Sequence, residues 1–508
     1  MIKSRKIGIV LSYIYFVINT IISVFLSSFL IKSVGKADYG VYQSVAAFIG
    51  YLTLLEFGTG RIISRNIALL KKDGEDDLEI KKNISTILVI NLALTLIILC
   101  VAVCFWLSLD VIYANSMTKS QIEMAKKLFL FPIITLVVSF FQQMLNGILI
   151  GYENYTFENL VSIIKVIVRA SLIVLAFTIK KSIFVFAIID TSINVFVLIV
   201  TLIYVLVRIK APFSLIHFDK TIFKLILPLF LAMLLQSVVS TVNNTVDKFL
   251  ISIMMTPEDV TVYSIAMTIY TMFSTIGSIP SGMYLPKVAK DMKDGKEGRE
   301  LTTTLITPCR LNALITGIIG FGFAIAGKQF ITILYGLDCV ESWILAIVII
   351  VPTYFNVFNN VILNVLDVLR KRHVRSIILM ATTCFNLIST IIGIKYFGML
   401  GAAIATGVAT FLQVVILNIY YHKYINIDVL YLFRKGLKGI FPSLVLAFCV
   451  ALPFLILIEN VWASFFVCGL TFLCCFGVCF YAFGSEKGEK QFINRIVKKI
   501  FIGKKGEL

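Results

Sequence analysis

Charge is what this chain has least of. Asp, Glu, Lys and Arg make up 15% of its 508 residues, where a soluble globular protein carries about 25%. Histidine occurs three times, and the ten cysteines form no paired Cys-x-x-Cys units. A metal site is therefore not expected. Cys100, Cys104, Cys449, Cys468, Cys474, Cys475 and Cys479 lie inside apolar runs. They read as small buried hydrophobes, not as a disulfide framework. No Gly-x-x-x-x-Gly-Lys-Ser/Thr loop occurs, which disfavours intrinsic ATP hydrolysis. No stretch is long and polar enough for a soluble domain, and no cofactor is expected. These absences argue against a water-soluble enzyme, a disordered chain and a nucleic-acid binder.

What is present is hydrocarbon. Hydrophobic residues make up 59% of the chain, and the mean hydropathy is +0.96. One membrane-crossing helix takes about 20 apolar residues, so the composition suits about fourteen of them. The apolar runs fall at roughly 7–31, 39–62, 83–107, 125–150, 158–179, 182–207, 220–250, 258–286, 303–326, 341–368, 375–395, 398–421, 436–458 and 461–483. The expected fold class is all-α: a polytopic membrane protein with short connections. The first run, after Lys3, Arg5 and Lys6, is longer than a secretory signal's apolar core and is expected to be a retained span. If both termini are cytoplasmic, Lys and Arg in inside segments outnumber those outside by more than three to one. That asymmetry accounts for the net charge of +18 without a nucleic-acid partner. The tail, with Lys487, Lys490, Arg495, Lys498 and Lys499, reads as an amphipathic helix on anionic membrane lipids.

The chain also echoes itself. Asp38-Tyr-Gly-Val-Tyr-Gln-Ser matches Asp259-Val-Thr-Val-Tyr-Ser-Ile at an offset of 221, and Ile67-Ala68 falls on Val288-Ala289 at the same offset. The two copies fall on the second and eighth spans, an offset of six. An even number keeps them parallel, as in transporters built from two lobes. The expected division is an N-lobe of six spans at 1–209, a C-lobe of six spans at 210–427, and two further spans with a basic tail at 428–508.

Five segments carry a resemblance. They are Glu56-Phe-Gly-Thr-Gly-Arg-Ile-Ile-Ser-Arg65, Gly151-Tyr-Glu-Asn-Tyr155, Leu227-Pro228-Leu229 with Asp247, Val262-Tyr-Ser-Ile-Ala266 followed by Tyr284-Leu-Pro286, and Tyr396-Phe-Gly-Met-Leu-Gly-Ala-Ala-Ile-Ala-Thr406. In order and spacing they resemble the polysaccharide-biosynthesis flippases, the lipid-linked oligosaccharide exporters of the MOP superfamily. The resemblance implies twelve to fourteen spans in two lobes around a central cavity. It implies movement of undecaprenyl-pyrophosphate-linked repeat units from the inner to the outer leaflet of the bacterial cytoplasmic membrane. A polysaccharide polymerase or glycosyltransferases of the same pathway are the implied protein partners. Relatives of the same architecture flip the peptidoglycan lipid precursor or exchange drugs for ions.

Charges inside the spans point to the site. An ionised side chain at the bilayer centre costs at least ~2.5–3.5 kcal/mol unless it faces a cavity, pairs or snorkels. Lys165 and Arg169 lie at i and i+4 on the fifth span, hence on one face. Arg310 lies about 10 Å into the ninth span, and Arg61 at the inner end of the second. As a cationic cavity they would accept a pyrophosphate, the arginines through bidentate hydrogen bonds. As structural pairs, Arg169 or Lys165 would meet Asp190, and Arg61 would meet Glu56. Glu56 and Asp190, as buried carboxylates, could also carry a coupling proton or sodium ion. Asp247, with Asn243 and Asn244, reads as a helix-capping or interhelical polar cluster.

Other functions fit less well. A membrane glycosyltransferase or polymerase needs catalytic groups on a sizeable outer loop, and the longest, 108–124, carries only Asp110 and Glu123 as acids. A drug/ion antiporter of the same superfamily would be expected to show an acidic cavity, whereas this one reads as basic.

Overall fold

The computed structural model describes residues 2–53, 58–73, 77–213, 218–486, 488–491 and 494. Every regular element among them is a helix. Seven begin the chain: α1 (Ile2–Val34), α2 (Lys36–Leu52), α3 (Thr59–Asp73), α4 (Asp77–Ile112), α5 (Lys119–Gly151), α6 (Tyr155–Ile179) and α7 (Ile183–Tyr204). Then come α8 (Lys220–Met254), α9 (Pro257–Met283), α10 (Leu285–Lys293), α11 (Gly298–Tyr335), α12 (Glu341–Asn359) and α13 (Leu363–Val368). The last are α14 (Arg372–Ile425), α15 (Val429–Gly436), α16 (Ile440–Leu457) and α17 (Val461–Cys479). Eleven helical stretches among the described residues are long and apolar enough to cross a membrane. Their outward faces are hydrocarbon: Ile179, Phe483 and Leu457 are 90%, 86% and 75% exposed. In water such a surface would aggregate; in a bilayer it is the solvated one. The chain is a multi-pass helical membrane protein.

The difference from the expected fourteen spans falls on α2, α8 and α14. Helix α2 has 17 residues, and α8 falls outside the eleven because much of it, 229–236 included, lies outside the residues described with side chains. Helix α14 reverses at Gly398, whose φ of 59° and ψ of −140° lie outside helical space. A side chain on Gly393 would meet the Gly401 carbonyl at 2.6 Å, and one on Gly401 would overlap the carbonyl of Gly393. The two arms thus leave the turn back to back, and only glycine permits that approach.

The second expected span, 39–62, is not one helix. It ends at Leu52, and a separate amphipathic helix, α3, starts at Thr59. Ile62, Ile63 and Ile67 are buried, while Arg61 and Arg65 on the opposite face are exposed. The second copy of the repeat has the same design. Helix α9 is followed by short α10, where Val288 is buried and Lys287, Lys290 and Lys293 are exposed. Ile67 and Val288, 221 residues apart, are both buried anchors, 0% and 1% exposed.

Contacts group the chain into two compact units, Met1–Ser264 and Ile265–Leu508. In the first, α3 lies tight on α5: a side chain on Gly147 would overlap the Gly60 carbonyl. Helix α8 begins at Asp219, whose carboxylate accepts the backbone N–H groups of Thr221 and Ile222 at 2.7 and 3.3 Å. Those two donors hold its pKa below the usual carboxylate value. The far half of α8 packs along α2, where the Phe249 ring lies edge-on to Tyr51 at 5.2 Å and a side chain on Gly50 would touch Thr245 at 3.3 Å. The Tyr113 hydroxyl reaches Ser252 at 3.5 Å and the Ser44 carbonyl at 3.4 Å. At the start of α2, Thr261 donates to the Lys36 carbonyl at 2.8 Å.

Gly40 sits against Pro257 so closely that a Cβ would overlap the proline's carbonyl oxygen. Backbone cannot yield that far without separating α2 from α9. Gly40→Ala should therefore lower the thermal midpoint in detergent, on the overpacking scale of about 1–3 kcal/mol. Gly282→Ala, where nothing lies within 4 Å, should leave it unchanged. Thermal unfolding of the two purified variants checks this.

Candidate functional site

Helices α2, α6 and α7 bring together the main candidates. Arg169 on α6 forms an ion pair with Asp190 on α7, Nε to Oδ1 at 2.5 Å. The Phe186 ring, one helical turn before Asp190, lies 5.6 Å from the guanidinium carbon. Tyr42 of α2 meets that same ring edge-on, with centroids 5.1 Å apart. One turn from Arg169, Lys165 donates to Asn194 Oδ1 at 2.7 Å, and Asn194 in turn donates to the Asp190 carbonyl at 2.7 Å. The helical period explains the cluster: 165 and 169 share a face of α6, as 186, 190 and 194 share a face of α7.

Of the two pairings the sequence left open, Asp190 takes Arg169, and Lys165 takes the neutral Asn194. The cluster holds two cations and one acid. The two side chains of the ion pair are 28% and 16% exposed, so the pair is not sealed in the protein core. Such a pair can exchange partners when an anion arrives, at less cost than a sealed one. The arrangement offers an anion two charged donors a helical turn apart, with a carboxylate beside them.

The remaining candidates lie elsewhere. Arg61 is exposed on amphipathic α3, not at the end of a membrane span, because the chain breaks after Leu52. Glu56 lies outside the described residues, so its pairing with Arg61 is not described either.

Arg310 on α11 is 2% exposed and gives away all of its N–H groups. Its Nε and Nη2 hold the Glu489 carboxylate at 3.0 and 3.0 Å. Its Nη1 donates to the carbonyls of Lys435 and Lys438 at 3.0 and 2.9 Å, and Nη2 also donates to that of Gly484 at 3.0 Å. A guanidinium has five N–H donors, so Arg310 has none left for a substrate anion in this structure. It joins α11 to the α15–α16 junction and to the segment after α17. Two glycines permit the junction: Gly439, at φ +76°, lies so near Gly484 that a Cβ would overlap its Cα.

Sequence reasoning misses one residue here. Lys248, on α8, donates to Gln43 Oε1 of α2 at 3.3 Å, and Gln43 donates to the Tyr39 hydroxyl at 2.7 Å. Its neighbour Asp247 is buried and accepts from the Tyr263 hydroxyl at 2.9 Å. A signal exists, since Lys248 follows Asp247 at the end of an apolar run. It is a weak one, because so terminal a lysine commonly snorkels.

Replacing Arg310 leaves Glu489 and three carbonyls without their donor. Arg310→Ala should cost about 3–5 kcal/mol, the penalty for breaking a buried pair. Arg310→Lys should recover only part of it, since an ammonium has three donors and no fork. Thermal unfolding in detergent reads both; an unshifted midpoint in Arg310→Ala would refute the assignment.

The sequence profile of the polysaccharide biosynthesis protein family matches residues 6–290. A putative O-antigen transporter of Shigella flexneri is 22% identical over 425 residues, covering 80% of this chain and 95% of that one. Among solved structures, lipid II flippase MurJ in an inward closed conformation superposes with a TM-score of 0.72 at 18% identity, covering 93% of this chain and 99% of that one. An inward-facing multidrug resistance MATE family transporter of the MOP superfamily superposes with a TM-score of 0.63 at 14% identity, covering 82% of this chain and 95% of that one. These two similarities show the fold. The profile match spans more than half of the chain, and on that ground the chain is a member of the polysaccharide biosynthesis protein family.

Proposed function

We propose that this protein is a transporter, not an enzyme, and that it carries a lipid-linked saccharide from the inner to the outer leaflet of the bacterial cytoplasmic membrane. The observation that carries the reading is the Lys165–Arg169 pair on one face of a membrane helix. A polyprenyl-pyrophosphate headgroup brings negative charge and sugar hydroxyls into a region of low dielectric. Two donors a turn apart match its two phosphates, and the ion pair with Asp190 tempers the attraction so that release remains possible. Arg310 plays no part in binding, and Arg61 on α3 meets anionic groups at the membrane surface. The two lobes are 1–209 and 210–427, with 428–508 appended, and both termini are cytoplasmic.

Alternating access between the leaflets requires a contact that parts and re-forms. The seam of α2 with α8 and the start of α9 supplies one, since its links are edge-on rings, single hydrogen bonds and glycine contacts. Asp190 gives a second reading a foothold. A carboxylate freed from Arg169 by the arriving anion can take a proton, which would couple transport to an ion gradient.

Arg169→Ala and Lys165→Gln should each lower export at least about tenfold, the scale of one lost charge-assisted hydrogen bond. Mass spectrometry of lipid extracts from cells carrying each variant reads this as accumulation of a polyprenyl-pyrophosphate saccharide. The double variant Arg169→Ala with Asp190→Ala separates pairing from binding. It removes the orphaned acid and should restore expression but not export; restored export would reduce the pair to a structural strut. In proteoliposomes, Asp190→Asn should abolish the response to an imposed proton gradient. An unchanged response removes Asp190 from coupling.

A further inference from the structure

The pyrophosphate site uses two cations, and the first unit holds a third, Lys248 on α8, that the site does not use. Tyr42 meets Phe186 near the start of α7, and Gly40 meets Pro257 at the start of α9. The starts of α2, α7 and α9, with the ends of α6 and α8, therefore lie on one side of the bilayer. At 1.5 Å per residue, Lys248 is about 9 Å below that side, Arg169 about 15 Å and Lys165 about 21 Å. The three cations descend in steps of about 6 Å, and α2 touches both neighbours, α8 through Gln43 and α7 through Tyr42.

The surroundings of Lys248 differ from those of the other two. Arg169 has a carboxylate partner, and Lys165 has an amide that is tied to the Asp190 backbone. Lys248 has one long hydrogen bond to a neutral amide, and no ion pair among the described residues. Asp247 precedes it but is turned to Tyr263, as adjacent residues on a helix face different ways. An ammonium has three donors, so Lys248 keeps capacity for an incoming acceptor. Beside it stand an amide and a phenol, groups that hydrogen-bond sugar hydroxyls.

We propose that Lys248, with Gln43 and Tyr39, forms a second anion subsite that takes a carboxylate on the sugar portion of the cargo, so that the protein prefers an acidic saccharide. The proposal rests on the lipid-linked saccharide reading. A pyrophosphate lying along Lys165 and Arg169 has its charges matched on two adjacent turns of α6. Lys248 is on a different helix and nearer the membrane surface, where the saccharide beyond the pyrophosphate extends. A uronate there would replace the weak contact to Gln43 with a charge-assisted bond.

The test uses the full-length protein in proteoliposomes and two synthetic probes: an undecaprenyl-pyrophosphoryl disaccharide ending in glucuronate, and its glucose counterpart. Wild type should bind and move the glucuronate probe roughly tenfold better, the worth of one charge-assisted bond. Lys248→Gln should erase that preference while still moving the glucose probe, which also shows that it is folded. Lys248→Arg should retain the preference. Equal handling of both probes by wild type, or an equal loss of both in Lys248→Gln, overturns the subsite. If Lys165→Gln leaves both probes untouched, the pyrophosphate assignment fails while the Lys248 preference stands or falls by its own variants. Failure of wild type to bind either probe rejects the lipid-linked saccharide reading, and the subsite with it.

Discussion

A bilayer offers no water to a polar group, so each one carried into it must be answered from within the protein. Most of what distinguishes this chain from a plain bundle of apolar helices follows from that demand. Serines and threonines along the spans return their hydroxyls to carbonyls one turn back, as Thr95, Thr201 and Thr353 do at 2.7–2.8 Å. Amides bridge helices: Asn312 ties α11 to Ser281 and to the Val357 carbonyl, and Gln329 reaches Ser464 on α17. Charges receive the most elaborate answers, and the completeness of each answer separates their roles. Arg310 is saturated. Arg169 is paired but only partly covered by protein. Lys165 and Lys248 hold neutral partners and keep donors to spare.

That gradation is only partly legible in the sequence. The hydropathy pattern exposes the membrane class and most spans, because an unbroken run of about 20 apolar residues rarely forms anything but a membrane helix. Periodicity also puts Lys165 and Arg169 on one face. What periodicity does not carry is the partner. Asp190 lies 21 residues from Arg169 and is suggested by depth alone. Glu489, which answers Arg310, belongs to a tail whose charges read as an amphipathic helix on membrane lipids. Its distance of 179 residues gives no local signal.

The expected second span fails for a related reason. Residues 39–62 are apolar enough to read as one run, yet Gly58 adopts φ +63° and α3 starts afresh beyond it. Hydropathy averages over a window and so merges a span with the amphipathic helix that follows. The repeat is the better guide there, since Ile67 and Val288 align in sequence and are both buried. At Gly398 the pattern reads correctly: the expected spans 375–395 and 398–421 are the two arms of α14, separated by the reversal at that glycine.

The Arg310 junction also has a chronology. Its counter-charge is made 179 residues after it. At about 5–20 residues per second, synthesis leaves roughly 10–35 s between the two. Through that interval α11 carries an arginine whose final acceptors do not yet exist, so it must be housed at the membrane surface or against the insertion machinery. The junction closes only once the ribosome has passed Glu489. A chain that stops before Glu489 keeps a guanidinium whose counter-charge is never made.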